Sequence, residues 1–116
     1  MKKLGLYAAC LVACFLGMAC ASQSLNSFGP YSAAEAYYGK GNYPKAIEKY
    51  QEYLTANPQA SLAPIAEYYV GKSYAASGDK VKAIETFKRV SSQYPKTSWA
   101  EFAKDQLILL KAPAQS

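Results

Sequence analysis

The chain has 116 residues and a formal charge of +5, a length suited to one domain. It contains no His, and its three cysteines, Cys10, Cys14 and Cys20, all lie near the N-terminus. That composition removes imidazole bases, Ser-His-Asp triads and the usual zinc ligands, and leaves no internal disulfide or Cys-based metal site beyond residue 20.

Residues 1–20 read as an export signal. Lys2 and Lys3 form a basic start, an apolar stretch runs from Leu4 through Cys20, and no charged residue follows until Glu35. The stretch approaches the length at which a retained membrane helix becomes possible, but its small terminal residues and the polar Ser22-Gln23-Ser24 favour cleavage. Leu16-Gly17-Met18-Ala19-Cys20 is similar to the lipobox of bacterial lipoproteins, with Gly17 where a branched aliphatic residue is usual. This resemblance implies a lipid on Cys20. Cleavage at Cys14 fits the local pattern but leaves a very short signal. Ordinary cleavage after Ala19-Cys20-Ala21 would release a soluble periplasmic or secreted protein. Without Lys2 and Lys3 the charge falls to +3, scattered among acids, so no basic run points to nucleic acid.

Residues 21–30 read as a flexible tether. Beyond it, a shift of 37 residues superposes the two halves of the chain. Gly41-Asn42-Tyr43-Pro44-Lys45-Ala46-Ile47-Glu48-Lys49-Tyr50 falls on Gly78-Asp79-Lys80-Val81-Lys82-Ala83-Ile84-Glu85-Thr86-Phe87. The register extends outward, with Tyr31 on Tyr68, Tyr37 on Tyr74, Pro58 on Pro95 and Ala66 on Ala103.

Each unit, 31–58 and 61–95, reads as two helices. In the second unit Leu62, Ile65, Ala66, Tyr69, Val70 and Ser73 form one helical stripe, and Ala83, Ile84, Phe87, Val90 and Tyr94 form another. Gly41 and Gly78 suit the left-handed residue that ends a helix, and Asn42 and Asp79 suit the cap that opens the next. Pro44 and Pro64 fall in first turns, while Pro58 and Pro95 fall just past helix ends. Ser32 to Glu35 and Ser98 to Glu101 have capping-box spacing and predict helix starts at both serines. Glu85 precedes Arg89 by one turn, as in a surface ion pair.

A fifth helix is expected over 98–111, with Trp99, Phe102, Ala103, Gln106, Leu107 and Leu110 along one side, capping the stack; 112–116 is a tail. One face cannot bury all of Leu107-Ile108-Leu109-Leu110, so part of that run is expected to lie uncovered unless the tail folds back.

Gly71, Tyr74, Gly78, Ala83, Phe87 and Pro95, with Tyr37, Gly41, Ala46, Tyr50 and Pro58, resemble the tetratricopeptide signature. The first unit departs from it at Ala34, where a helix-packing Gly is expected, and at Tyr53, where a small residue is usual, so its opening helix is expected to be short or loosely packed. The 37-residue period and the phrase Tyr94-Pro95-Lys96-Thr97-Ser98 look most like the tetratricopeptide lipoproteins of the Gram-negative outer membrane, among them the BamD-type assembly lipoproteins and the Tol-Pal coordinators.

The resemblance implies an all-α, short right-handed solenoid of two helix-turn-helix repeats and a capping helix, over residues 31–111. It further implies a non-enzymatic scaffold of the cell envelope, facing the periplasm from a lipid-anchored position in the outer membrane, that binds envelope proteins. In that architecture the first helix of each pair lines the concave face, which assigns partner contact to Tyr31, Glu35, Tyr38, Ile65, Tyr68, Lys72, Phe102 and Asp105. The alternative is that Tyr31 and Tyr68 shield the core from inside the stack. A self-associating structural protein using the C-terminal helix is the second functional reading, and an envelope hydrolase a remote third. No Gly-rich phosphate loop, metal-ligand cluster or nucleophile motif appears, so neither cofactor nor metal is expected.

Overall fold

In a computed structural model the described residues are 29–111. The signal segment 1–20 with Cys20, most of the tether and the tail 112–116 lie outside them. Among the described residues five helices follow in chain order: α1 (Gly29–Gly39), α2 (Tyr43–Ala56), α3 (Ala63–Ala76), α4 (Lys80–Gln93) and α5 (Ser98–Lys111). Each packs against the next, and α3 also touches α5. This is an all-α helical-repeat solenoid. Among the described residues no helix is long and apolar enough to cross a membrane.

The turns inside the two helical pairs are built alike. The amide of Asn42 donates to the carbonyl of Tyr37 at 2.9 Å and that of Gly41 to Tyr38 at 3.0 Å. Thirty-seven residues on, Asp79 donates to Tyr74 at 2.9 Å and Gly78 to Ala75 at 3.2 Å. These paired bonds satisfy the last carbonyls of a helix only if the residue between is left-handed. Gly41 and Gly78 supply it at φ +76° and +89°. The next helix is then capped at once, by Asn42 Oδ1 accepting from the Lys45 amide at 3.4 Å and Asp79 Oδ1 from the Lys82 amide at 3.1 Å. Asp79→Ala is expected to cost about 1 kcal/mol in chemical denaturation, and Asn42→Ala less because its bond is longer.

The two expected capping boxes do not form. Helix α1 begins at Gly29, taking in Gly29 and Pro30 from the stretch read as tether and placing Ser32 inside the helix. Pro30 is compatible with this because a first-turn residue needs no amide donor. At α5 the cap is Thr97, whose Oγ1 accepts from the Ala100 amide at 3.3 Å and donates to the Tyr94 carbonyl at 2.8 Å. Ser98 is therefore the first helical residue, and Glu101 pairs with Lys104 at 2.8 Å instead.

The core divides into two clusters along the stack. The first gathers Ala34, Ala46, Tyr50, Tyr53, Ala66 and Val70; the second gathers Tyr68, Ala83, Phe87, Val90 and Ala103. Ala46 and Ala83 are fully buried, and their single methyls let paired helices approach closely enough for Tyr50 and Phe87 to fill the adjoining space. Gly71 marks the tightest approach: a Cβ there would stand 2.7 Å from Phe87 Cε1. The equivalent residue in the first unit, Ala34, is fully buried and accommodated, in an α1 of 11 residues against 14 for the others. Tyr53, in place of a small residue, is also buried, and Tyr31 meets its ring edge-on at 5.3 Å. The buried hydroxyls of Ser73 and Thr86 bond back to the carbonyls of Tyr69 and Lys82, one turn earlier on their own helices.

The apolar run on α5 is split by the helix as its spacing requires. Leu107 and Leu110 pack on the second cluster, whereas Ile108 and Leu109 are 68% and 67% exposed.

Candidate functional site: an aromatic inner face

Because α3 contacts α5 directly while α2 and α4 leave a groove between them, the first helices of the pairs, α1, α3 and α5, line the inner side of the stack. Aromatic rings connect them. Tyr38 of α1 meets Tyr69 of α3 edge-on with centroids 5.1 Å apart, and also Tyr43 at 5.5 Å. Tyr69 stacks on Tyr50 at 6.0 Å and lies 6.3 Å from Trp99 of α5. Trp99 in turn contacts Tyr68 at 5.2 Å and Phe102 at 5.5 Å. Tilted and edge-on pairs of this kind are the favourable arrangements of aromatic quadrupoles. The result is a continuous belt of rings across three helices, which remains accessible at Phe102, 46% exposed.

The eight sequence-assigned positions are distributed over this face unevenly. Tyr31, Tyr38, Ile65 and Lys72 are half-buried; Glu35, Phe102 and Asp105 are exposed. Tyr68 is buried among Tyr69, Phe87, Trp99 and Phe102, so it supports the belt from behind. Tyr31 sits edge-on to Tyr50 and Tyr53 rather than in the Tyr38–Tyr69 line. Two contributors were not assigned from sequence, Tyr69 and Trp99. The signal available for Tyr69 was that its counterpart in the first unit is Ser32, so its bulk is not required by the repeat.

Burial governs the acidity of these rings. It pushes Tyr31 up to about 12, with the neighbouring Glu35 carboxylate adding to the effect, and raises Tyr50 and Tyr38 as well. Since an unfolded tyrosine ionises near 10, folding is expected to keep its full stability below about pH 10 and to lose it as pH rises toward 12. Helical circular dichroism followed alongside tyrosinate absorbance checks this. Helicity that survives complete tyrosine ionisation would contradict it.

On the outer side, Leu54, Pro58, Gln59, Glu67, Gln93 and Tyr94 line a larger groove. Its charges are already engaged. Arg89 Nε bonds Glu67 Oε1 across α3 and α4, which replaces the expected pairing of Arg89 with Glu85. Glu67 is nearly buried whereas Glu85 is exposed, and a carboxylate removed from water gains more from a guanidinium. Although this groove is the roomier, the inner face carries the concentration of rings. Among the described residues no group of three or more His, Cys, Asp or Glu side chains is placed to hold a metal.

A family model described as tetratricopeptide repeat matches residues 31–60 and 66–97, more than half of the chain. The chain belongs to the tetratricopeptide-repeat family. Its repeats coincide with the two helical pairs, and α5 occupies the place of a third repeat's first helix. Tetratricopeptide repeats generally mediate protein–protein interaction and are generally non-enzymatic. A comparison with curated proteins found no match.

Proposed function

We propose that this tetratricopeptide protein is a binding scaffold of the bacterial cell envelope that holds a segment of a partner protein against the α1, α3 and α5 face. The observation that carries the proposal is the aromatic belt from Tyr38 through Tyr69 to Trp99 and Phe102. Tyrosine and tryptophan combine large apolar area with a polar atom and few rotatable bonds, so they bind at low entropic cost. Glu35, Lys72 and Asp105 are not part of any ion pair formed among the described residues and are available to set register.

Support for the location comes from the sequence alone: a basic start, an apolar stretch, and Cys20 in a lipobox-like setting. On this reading Cys20 carries a lipid, Ala21 after it agrees with sorting to the outer membrane, and the repeats face the periplasm. BamD-type assembly or a Tol-Pal-type complex is the setting that the resemblance favours. Mass spectrometry of the mature N-terminus is expected to find acylated Cys20; an unmodified N-terminus after Ala21 would remove the anchor from the account.

The binding test uses Lys72→Ala with Phe102→Ala, both outside the buried core. The folded double variant is expected to lose crosslinking to its envelope partner in cells, and undiminished crosslinking would exclude the inner face. Exposed Ile108 and Leu109 favour a second reading, self-association through α5. It requires a dimer in sedimentation that Ile108→Lys disrupts, and a monomer at high concentration refutes it.

A further inference from the structure

The belt is not uniform along its length. At its α1 end it opens into a cleft of about 210 Å³ lined by Glu35, Tyr38, Gly39, Tyr50 and Tyr69. The three rings come from three different helices. Tyr38 stands nearly perpendicular to Tyr69, at 79°, and Tyr50 lies nearly parallel to it, at 20°. The walls are therefore set by packing within the first repeat and between it and the second, which fixes the cleft's shape before anything enters it. The mouth is open at Gly39, where even an added Cβ would meet nothing within 4 Å.

The electrostatics have one sign. The faces of aromatic rings carry the negative part of their quadrupole, and Glu35 adds a carboxylate at the lip. No Lys or Arg pairs with Glu35 among the described residues, although four other glutamates, Glu48, Glu52, Glu67 and Glu101, have cationic partners. At the equivalent position of the second repeat stands Lys72, so of the two repeats only the first places an acid there. A tyrosine hydroxyl ionises near pH 10, and burial raises Tyr38 and Tyr50 further, so these rings are neutral at cellular pH.

We infer that this cleft is an anchoring site for a basic side chain, Lys or Arg, of the bound partner segment. The stem of such a side chain is apolar and lies against the partly exposed Tyr38 and Tyr69 rings, above the buried Tyr50, and its cationic head reaches ring face and carboxylate together. An acidic side chain is repelled by Glu35, and a purely apolar one gains nothing from it. The inference rests on the proposed use of the inner face and specifies what that face selects at one end.

The test is an NMR titration of the full-length chain in a non-ionic detergent, with terminally capped Ala-Ala-Lys-Ala-Ala. The same peptide carrying norleucine or Glu in place of Lys serves as the comparison. Saturable shifts are expected at Tyr38, Gly39 and Tyr69 with the Lys peptide, and binding of the norleucine and Glu peptides is expected to be weaker by about threefold or more. Glu35→Gln, an exposed change, is expected to remove most of that preference, and Tyr38→Leu to weaken the Lys peptide while leaving the fold intact by circular dichroism. Equal binding of Lys and norleucine peptides, or an unchanged preference in Glu35→Gln, overturns the anchoring site. If that happens while Lys72→Ala with Phe102→Ala still abolishes partner crosslinking, the basic anchor alone is wrong; if the crosslinking also persists, the inner-face reading falls with it.

Discussion

Phe87→Ala is expected to destabilise the protein by about 4 kcal/mol. The ring is fully buried, lies 5.6 Å from Tyr68, and clusters with Ala83, Val90 and Ala103, so it joins α4 to both α3 and α5. Truncation forfeits the transfer free energy of the ring and leaves a cavity that three helices cannot jointly close. A domain of this size has a stability on the order of 8 kcal/mol, so about half would disappear. The thermal midpoint is expected to fall by about 20 °C. Trp99, the sole tryptophan, packs beside Tyr68 and reports the loss of α5 docking by fluorescence. A change below about 1 kcal/mol would mean that the second cluster does not hold the repeats together.

Gly71 is expected to reverse the ordinary rule for a glycine inside a helix. At an exposed helical site Gly→Ala stabilises by about 1 kcal/mol through helix propensity. Here the added Cβ would stand 2.7 Å from Phe87 Cε1 and 3.0 Å from two further ring carbons, and the fully buried ring has nowhere to move. Gly71→Ala is therefore expected to cost about 1 to 2 kcal/mol net, and Gly71→Val about 3 kcal/mol, both by urea unfolding. The opposite exchange in the first repeat, Ala34→Gly, is expected to destabilise too, by about 1 kcal/mol, because that helix pair is already spaced for a methyl. A stabilised Gly71→Ala would show that α3 and α4 can separate at no cost.

The features that recur at 37 residues were readable from the sequence because each has a local cause. Gly41 and Gly78 must be left-handed to close the same pair of amide bonds, and Asn42 and Asp79 follow them as caps. Ala46 and Ala83 mark the close helix approaches in both units. What was misread depended on competition between neighbours. Thr97 took the cap that the Ser98 to Glu101 spacing had suggested, and Pro30 allowed α1 to begin ahead of Ser32. Arg89 turned from Glu85 on its own helix to the less hydrated Glu67 across the helix pair. None of these choices is visible in a spacing rule: Glu67 lies 22 residues from Arg89, and Thr97 has Ala100 where a capping box needs Glu or Gln.

The inner face was legible as a row of positions but not as a surface. The resemblance to tetratricopeptide proteins placed Tyr38, Tyr68 and Phe102 on it, yet of the adjacent Tyr68 and Tyr69 it is Tyr68 that turns into the core and Tyr69 that bridges to Tyr38. That division follows from contacts of α3 with its neighbours, Tyr68 with Phe87 and Tyr69 with Tyr38, which no single helix determines. The cleft beneath Glu35 likewise exists only because Tyr50 reaches it from the second helix of the pair.

Site-specific photocrosslinking in native cells tests the central claim most directly. A crosslinking amino acid is placed singly at Glu35, Lys72 or Phe102 on the inner face, and at Lys45, Glu48 or Lys88 on α2 and α4. The account predicts one partner protein captured from the three inner positions and not from the outer three. Capture of that partner only from α2 and α4 would contradict it.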